Sequence, residues 1–145
     1  MRGRWLLWAL ASLGLGCQSA PPAPVPVATA APASEFALAG TSWLAEDIDG
    51  RGVVDRVEST LIFESGARVV GSTGCNRYFA PLEVTGSTLR VGMAASTRRA
   101  CPEPVMDQER RFLAALDAVR SYRREGPLLL LLDTGGRTVL RMSPQ

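Results

Sequence analysis

The sequence predicts a mainly β (α+β) domain: a small antiparallel sheet curled into a partly open barrel of about eight strands, with one helix packed across it. Three observations point there. Residues 57–64 alternate apolar and polar side chains with period two, short apolar runs recur between turn residues from 41 to 142, and only one stretch, after Pro102, carries apolar residues at helical spacing.

The elements follow in order. Thr41 to Ala45 is a short apolar segment around Trp43. Val57, Ser59, Leu61 and Phe63 form one face of a strand whose other face holds Glu58, Thr60, Ile62 and Glu64. Ser65-Gly66 turns the chain into a strand from Ala67 to Ser72. Arg77 to Val84 carries Tyr78, Phe79, Leu82 and Val84, and Gly86-Ser87 separates it from Thr88 to Val91. Pro102 and Pro104 suit a helix start, where a missing N–H costs no hydrogen bond. Val105, Phe112, Leu116 and Val119, with Leu113 beside them, then form one helical stripe. After the Gly126-Pro127 turn, Leu128 to Leu132 is short enough for a buried strand. Thr134 to Arg137 turns the chain into a last strand, Thr138 to Met142.

The N-terminus is of another kind. Arg2 and Arg4 precede a mostly apolar run, Trp5 to Leu15, with the arrangement of an export signal over residues 1–16. The run is shorter than the roughly 20 residues a bilayer span requires. Gly14-Leu15-Gly16-Cys17 resembles a bacterial lipobox, in which cleavage exposes a cysteine for acylation, although Gly14 stands where leucine is usual. Cys17 is therefore the expected lipidation site, and ordinary secretion with an incidental Cys17 is the alternative. Residues 17–35 are rich in Pro and Ala, a composition that extends rather than packs and suits a tether. Gln18 after the cysteine resembles the outer-membrane class of lipoproteins. The expected location is thus the cell envelope, anchored to the outer membrane by lipid and facing the periplasm.

Composition limits the chemistry. Removing Arg2 and Arg4 from the 16 basic residues leaves 14, which balance the 14 acidic residues. A neutral domain is a poor match to nucleic acid. There is no His, which excludes Ser-His-Asp and Cys-His catalysis and most zinc sites. Asp47-Ile-Asp49-Gly50-Arg-Gly52-Val-Val-Asp55 hints at a calcium loop, but an EF-hand frame centred on Gly50 puts Ala45 and Arg56 where acids are needed. A polar hairpin is the expected reading, with no metal and no cofactor.

Four segments carry a resemblance. They are Leu38-Ala-Gly40-Thr41-Ser42-Trp43, Gly71-Ser-Thr-Gly74-Cys75-Asn76-Arg77-Tyr78, Met93-Ala-Ala-Ser-Thr97-Arg-Arg-Ala-Cys101, and the helix containing Glu109-Arg-Arg-Phe112. In order and spacing they resemble the META domain, HslJ-like family over residues 36–142. The sequence departs from the family at Arg98-Arg99-Ala100, where a methionine usually lies two residues before the cysteine, and at Ala80-Pro81. The resemblance implies a barrel-like envelope domain, with links to stress response, heat shock and antibiotic tolerance and a likeness to secretion pilotins. It implies no particular reaction.

Several residues then invite a role. Cys75 and Cys101, in an exported domain, are expected to form a disulfide. A redox-active or metal-binding pair and free buried thiols are the alternatives. Gly74 and Asn76 both tolerate positive φ and make the Gly74–Tyr78 segment a structural turn or a recognition loop. Glu109 lies on the apolar stripe and must find donors, with backbone amides near Asn76 or the Arg77 side chain as candidates. A general acid is the other reading of Glu109. Trp43, Tyr78, Phe79 and Phe112 either line a cavity for lipid or peptide or build the core. The pairs Arg98-Arg99, Arg110-Arg111 and Arg123-Arg124 are solvated faces or, if gathered on one side, a surface for an acidic partner. No nucleophile or acid–base pair stands out. The expected function is a non-enzymatic envelope lipoprotein that holds an envelope protein or a small apolar ligand. The alternative is a periplasmic inhibitor of a lytic enzyme or protease, presenting a rigid loop near Asn76 or Arg98.

Overall fold

A computed structural model describes residues 37–145. The expected signal, the tether and Cys17 lie outside the described residues. The strands are β1 (Ser42–Ile48), β2 (Arg51–Gly52), β3 (Thr60–Phe63), β4 (Arg68–Ser72), β5 (Arg77–Thr85), β6 (Thr88–Val91), β7 (Ala95–Ser96), β8 (Ser121–Glu125), β9 (Leu128–Leu132) and β10 (Thr138–Pro144). The helix α1 (Glu103–Ala118) stands between β7 and β8.

All pairings are antiparallel and join the strands into one sheet. Its order runs β10-β9-β8-β6-β5-β4-β3-β1, and β1 also pairs with β10, which closes an irregular ring of eight strands. The closure is uneven. β8 and β9 match over five residue pairs, whereas β6 and β8 meet at Thr88 and Ser121 alone. Outside the ring, β2 adds to β1 and β7 adds to the first half of β5.

Inward residues fill the ring. Ile48, Leu61, Phe63, Leu89, Leu129, Leu131, Leu140 and Met142 are fully buried together, so the interior is a side-chain core. The alternation within β1 slips by one place at a bulge between Ala45 and Asp47, which is why Trp43, Ala45 and Ile48 all face inward. β9 shows how an unbroken leucine run suits a strand. Leu129 and Leu131 enter the core, while Leu130 on the outer face lies between its cross-strand neighbours Arg123 and Arg141.

The helix begins as its prolines dictate: Pro102 is the N-cap, and its carbonyl accepts from the N–H groups of Val105 (2.9 Å) and Met106 (3.1 Å). It ends where Val119 turns extended. Phe112, Ala115 and Leu116 reach the core from above β1, β6 and β10, so the helix closes that side of the ring. The helical stripe holds in this half. In the first half the buried positions are instead Gln108 and Glu109. Besides the two-residue strands β2 and β7, the sequence reading leaves out β8, because Tyr122 is its only buried residue. Residues 47–52 form the β1–β2 hairpin, with residues 53–55 following it: Asp49 (φ 56°) and Gly50 (φ 74°) take its two central positions, and Asp49 pairs with Arg137.

Candidate functional site: a buried polar latch and an outer cleft

The Gly74–Cys75–Asn76 turn is a tightly held piece of backbone. Gly74 has φ 105°, and a Cβ there would lie 2.7 Å from Val57 Cγ1, so both conformation and space require glycine. Of the two residues that tolerate positive φ, only Gly74 uses it; among non-glycine residues within 37–145 that region holds Asp49, Arg56 and Ala67. The contribution of Asn76 comes from its buried side chain. Its Nδ2 donates to Glu109 Oε2 (3.0 Å) and Oε1 (3.2 Å) and to the Arg99 carbonyl (3.2 Å). Its Oδ1 accepts from the Arg99 N–H (2.7 Å) and the Thr97 hydroxyl (2.8 Å).

Glu109 therefore receives neutral donors, the Asn76 amide and the Thr73 hydroxyl, in place of Arg77 or backbone amides. Beside it, Gln108 is fully buried. It accepts from the Val54 N–H (2.6 Å) and donates to the Val57 carbonyl (3.1 Å) and the Ser59 hydroxyl (3.0 Å). These bonds tie the first half of α1 to the loop before β3 and to the turn before β5. The Cys75–Cys101 disulfide, with Cα atoms 6.0 Å apart, ties the same turn to the residue before the helix N-cap. Among the described residues no buried side-chain polar atom lacks a partner. The latch is a fully satisfied polar network, and it carries Arg98 on a surface segment whose neighbours Thr97, Arg99 and Cys101 are all fixed.

The four aromatic residues divide. Trp43, Tyr78 and Phe112 belong to the core, whereas Phe79 is 53% exposed. The Tyr78 ring meets Phe112 edge-on with centroids 5.6 Å apart, and its hydroxyl donates to the Thr60 carbonyl (2.9 Å). Burial pushes its phenol well above the ordinary value of 10.0. The β3–β4 approach at this point explains Gly71, where a Cβ would stand 2.2 Å from the Thr60 carbonyl oxygen.

Phe79 faces the other way, into a cleft of about 570 Å³ on the outer face of β3, β4, β5 and β7. Register aligns its floor: Ile62 pairs with Val70, Val70 with Phe79, and Phe79 with Ala95. One flank carries Arg68, which makes a 2.6 Å ion pair with Glu64. The other carries Ser72, Arg77 and Thr97. Arg77 is exposed and has no carboxylate partner among the described residues. The sequence contained a signal for this cleft: Ile62 sits on the polar face of an otherwise alternating strand.

The arginine pairs do not act as one surface. Arg110 and Arg111 pair with Glu103 and Asp107 along the helix, Arg123 pairs with Glu125, and Arg124 lies 5.0 Å over the Trp43 ring. Asp107 is held below the usual carboxylate range, chiefly by its hydrogen bond from Arg111. No group of three or more metal-ligating side chains occurs among the described residues.

Comparison with solved structures finds this architecture elsewhere. A protein from Burkholderia xenovorans solved by NMR is 26% identical, with a TM-score of 0.63 over 90% of this chain and 97% of its own. A DUF4847 family protein from Bacteroides vulgatus shares the fold at 14% identity and a TM-score of 0.55, over 73% of this chain and 93% of its own. No curated protein matches the sequence. The META domain family model matches residues 36–145. With the motif-bearing turn, helix and disulfide now placed on one ring of strands, the chain belongs to the META domain family.

Proposed function

We propose that the protein is a non-enzymatic lipoprotein of the cell envelope, anchored through Cys17, whose META domain binds a ligand or partner at the outer cleft. One observation carries this reading: a concave apolar floor built from four strands, with a half-exposed phenylalanine at its centre. The polar latch contributes rigidity. It satisfies Glu109 internally with hydrogen-bonded neighbours, as a structural carboxylate requires. A role in envelope stress or antibiotic tolerance would be exercised through what the cleft holds.

The test is photo-crosslinking in intact envelopes from residue 79, with residue 90 on the far part of the sheet as control. Crosslinks from 79 alone, lost when Ala95→Asp puts a charge on the exposed end of the floor at unchanged Tm, are expected. Equal labelling from both sites, or none from either, would remove the cleft from consideration.

A second reading, an inhibitor of a lytic enzyme or protease, is favoured by one feature. Arg98 is exposed on a segment immobilised by Asn76 and the disulfide, as a rigid inhibitory loop requires. A panel of lysozymes and periplasmic proteases, assayed with the native protein and with Arg98→Ala, separates it from the first.

A further inference from the structure

We infer that the outer cleft takes a linear amphiphile with a single anionic head, its chain lying along the apolar row and its head on Arg77. The inference rests on the cleft being the binding surface and adds the chemical class of what it holds. The row Ile62–Val70–Phe79–Ala95 crosses four strands side by side. At the ordinary strand spacing it is about 14 Å long. It forms a strip, one side chain wide, in a cleft of about 570 Å³. That shape fits one extended hydrocarbon chain better than a branched or bulky group.

Charge decides the head. On one flank, Glu64 neutralises Arg68 at 2.6 Å. On the other, Arg77 lies across from Ser72 and has no carboxylate partner among the described residues. The lining therefore carries one uncompensated positive charge at one edge of an apolar strip. A guanidinium engages a carboxylate or phosphate through two parallel hydrogen bonds, repels an ammonium, and gains nothing from a neutral alcohol.

The experiment measures binding of dodecanoate, dodecanol and dodecyltrimethylammonium, each below its micelle concentration, to the purified full chain by calorimetry, with NMR shifts locating the site. Dodecanoate is expected to bind at least about tenfold more tightly than the other two, with shifts at Val70 and Phe79. Arg77→Gln should abolish that preference, and Glu64→Gln combined with Arg68→Gln, which removes a mutually neutralised pair, should leave it within about twofold. Charge-blind binding, a preference that survives Arg77→Gln, or no dodecanoate binding overturns the inference. If dodecanoate fails while residue 79 still crosslinks specifically in envelopes, the amphiphile is excluded and the binding surface stands.

Discussion

Gly74 and Glu109 show how single residues hold the turn and the helix together. At Gly74 a side chain meets both a left-handed φ of 105° and Val57 Cγ1 at 2.7 Å. Gly74→Ala is expected to cost about 2–3 kcal/mol, read as a lower urea midpoint with an unchanged slope. Glu109→Ala removes the buried acceptor shared by the Thr73 hydroxyl and one N–H of the Asn76 amide, leaving Thr73 the Asn76 carbonyl (3.1 Å) and Asn76 the Arg99 carbonyl (3.2 Å). The expected loss is about 2 kcal/mol, while Glu109→Gln, which keeps an acceptor, should lose less, and thermal melts of the two variants make the comparison. Some of this was legible in the sequence. A carboxylate on an apolar stripe announces that donors must exist, and Gly74 announces a positive φ. The identity of the donors was not legible, because Thr73 and Asn76 lie 36 and 33 residues from Glu109 and only the closed ring brings them near. The exposure of Phe79 was equally hidden: its place on the outer face depends on the register of β5 against β4 and β7.

Among elements, α1 depends most on its attachments. Its second half is held by apolar burial at Phe112, Ala115 and Leu116, and its first half by Gln108, Glu109 and the nearby disulfide. The Cys75–Cys101 link closes 26 residues of sequence. In the chain-entropy account that contributes about 3.5 kcal/mol, so reduction, or paired Cys→Ser replacement, should lower Tm by on the order of 15 °C. An unchanged melt under reductant would show that hydrogen bonds alone hold the turn. The helix and the strands β3, β4, β5, β6, β9 and β10 were readable from periodicity and turns. β8 was not, since its outer face is arginine and glutamate and its strand state comes from pairing with β9 along its whole length. The two-residue strands β2 and β7 are likewise products of pairing and carry no pattern of their own.

For the whole molecule, titration of a core group sets a limit on the alkaline side. Burial raises the Tyr78 phenol above its ordinary 10.0, so the folded state retains a proton that the unfolded chain releases. Stability from this group is complete below pH 10 and declines as pH rises beyond it. Urea midpoints between pH 8 and 11.5 should fall more steeply for the native protein than for Tyr78→Phe, which starts about 1 kcal/mol lower through loss of the bond to Thr60. The ring itself has a weak point. Its other seven junctions pair at two to five positions, but β6 meets β8 at one residue pair, Thr88 with Ser121. If that clasp parts, the cylinder becomes a ribbon with two raw margins, each able to accept a strand from another molecule. Deuterium uptake should therefore appear first at the amides of Leu89 and Tyr122, whose partners span this gap. A crosslink fastening the clasp should then suppress any self-association that begins there.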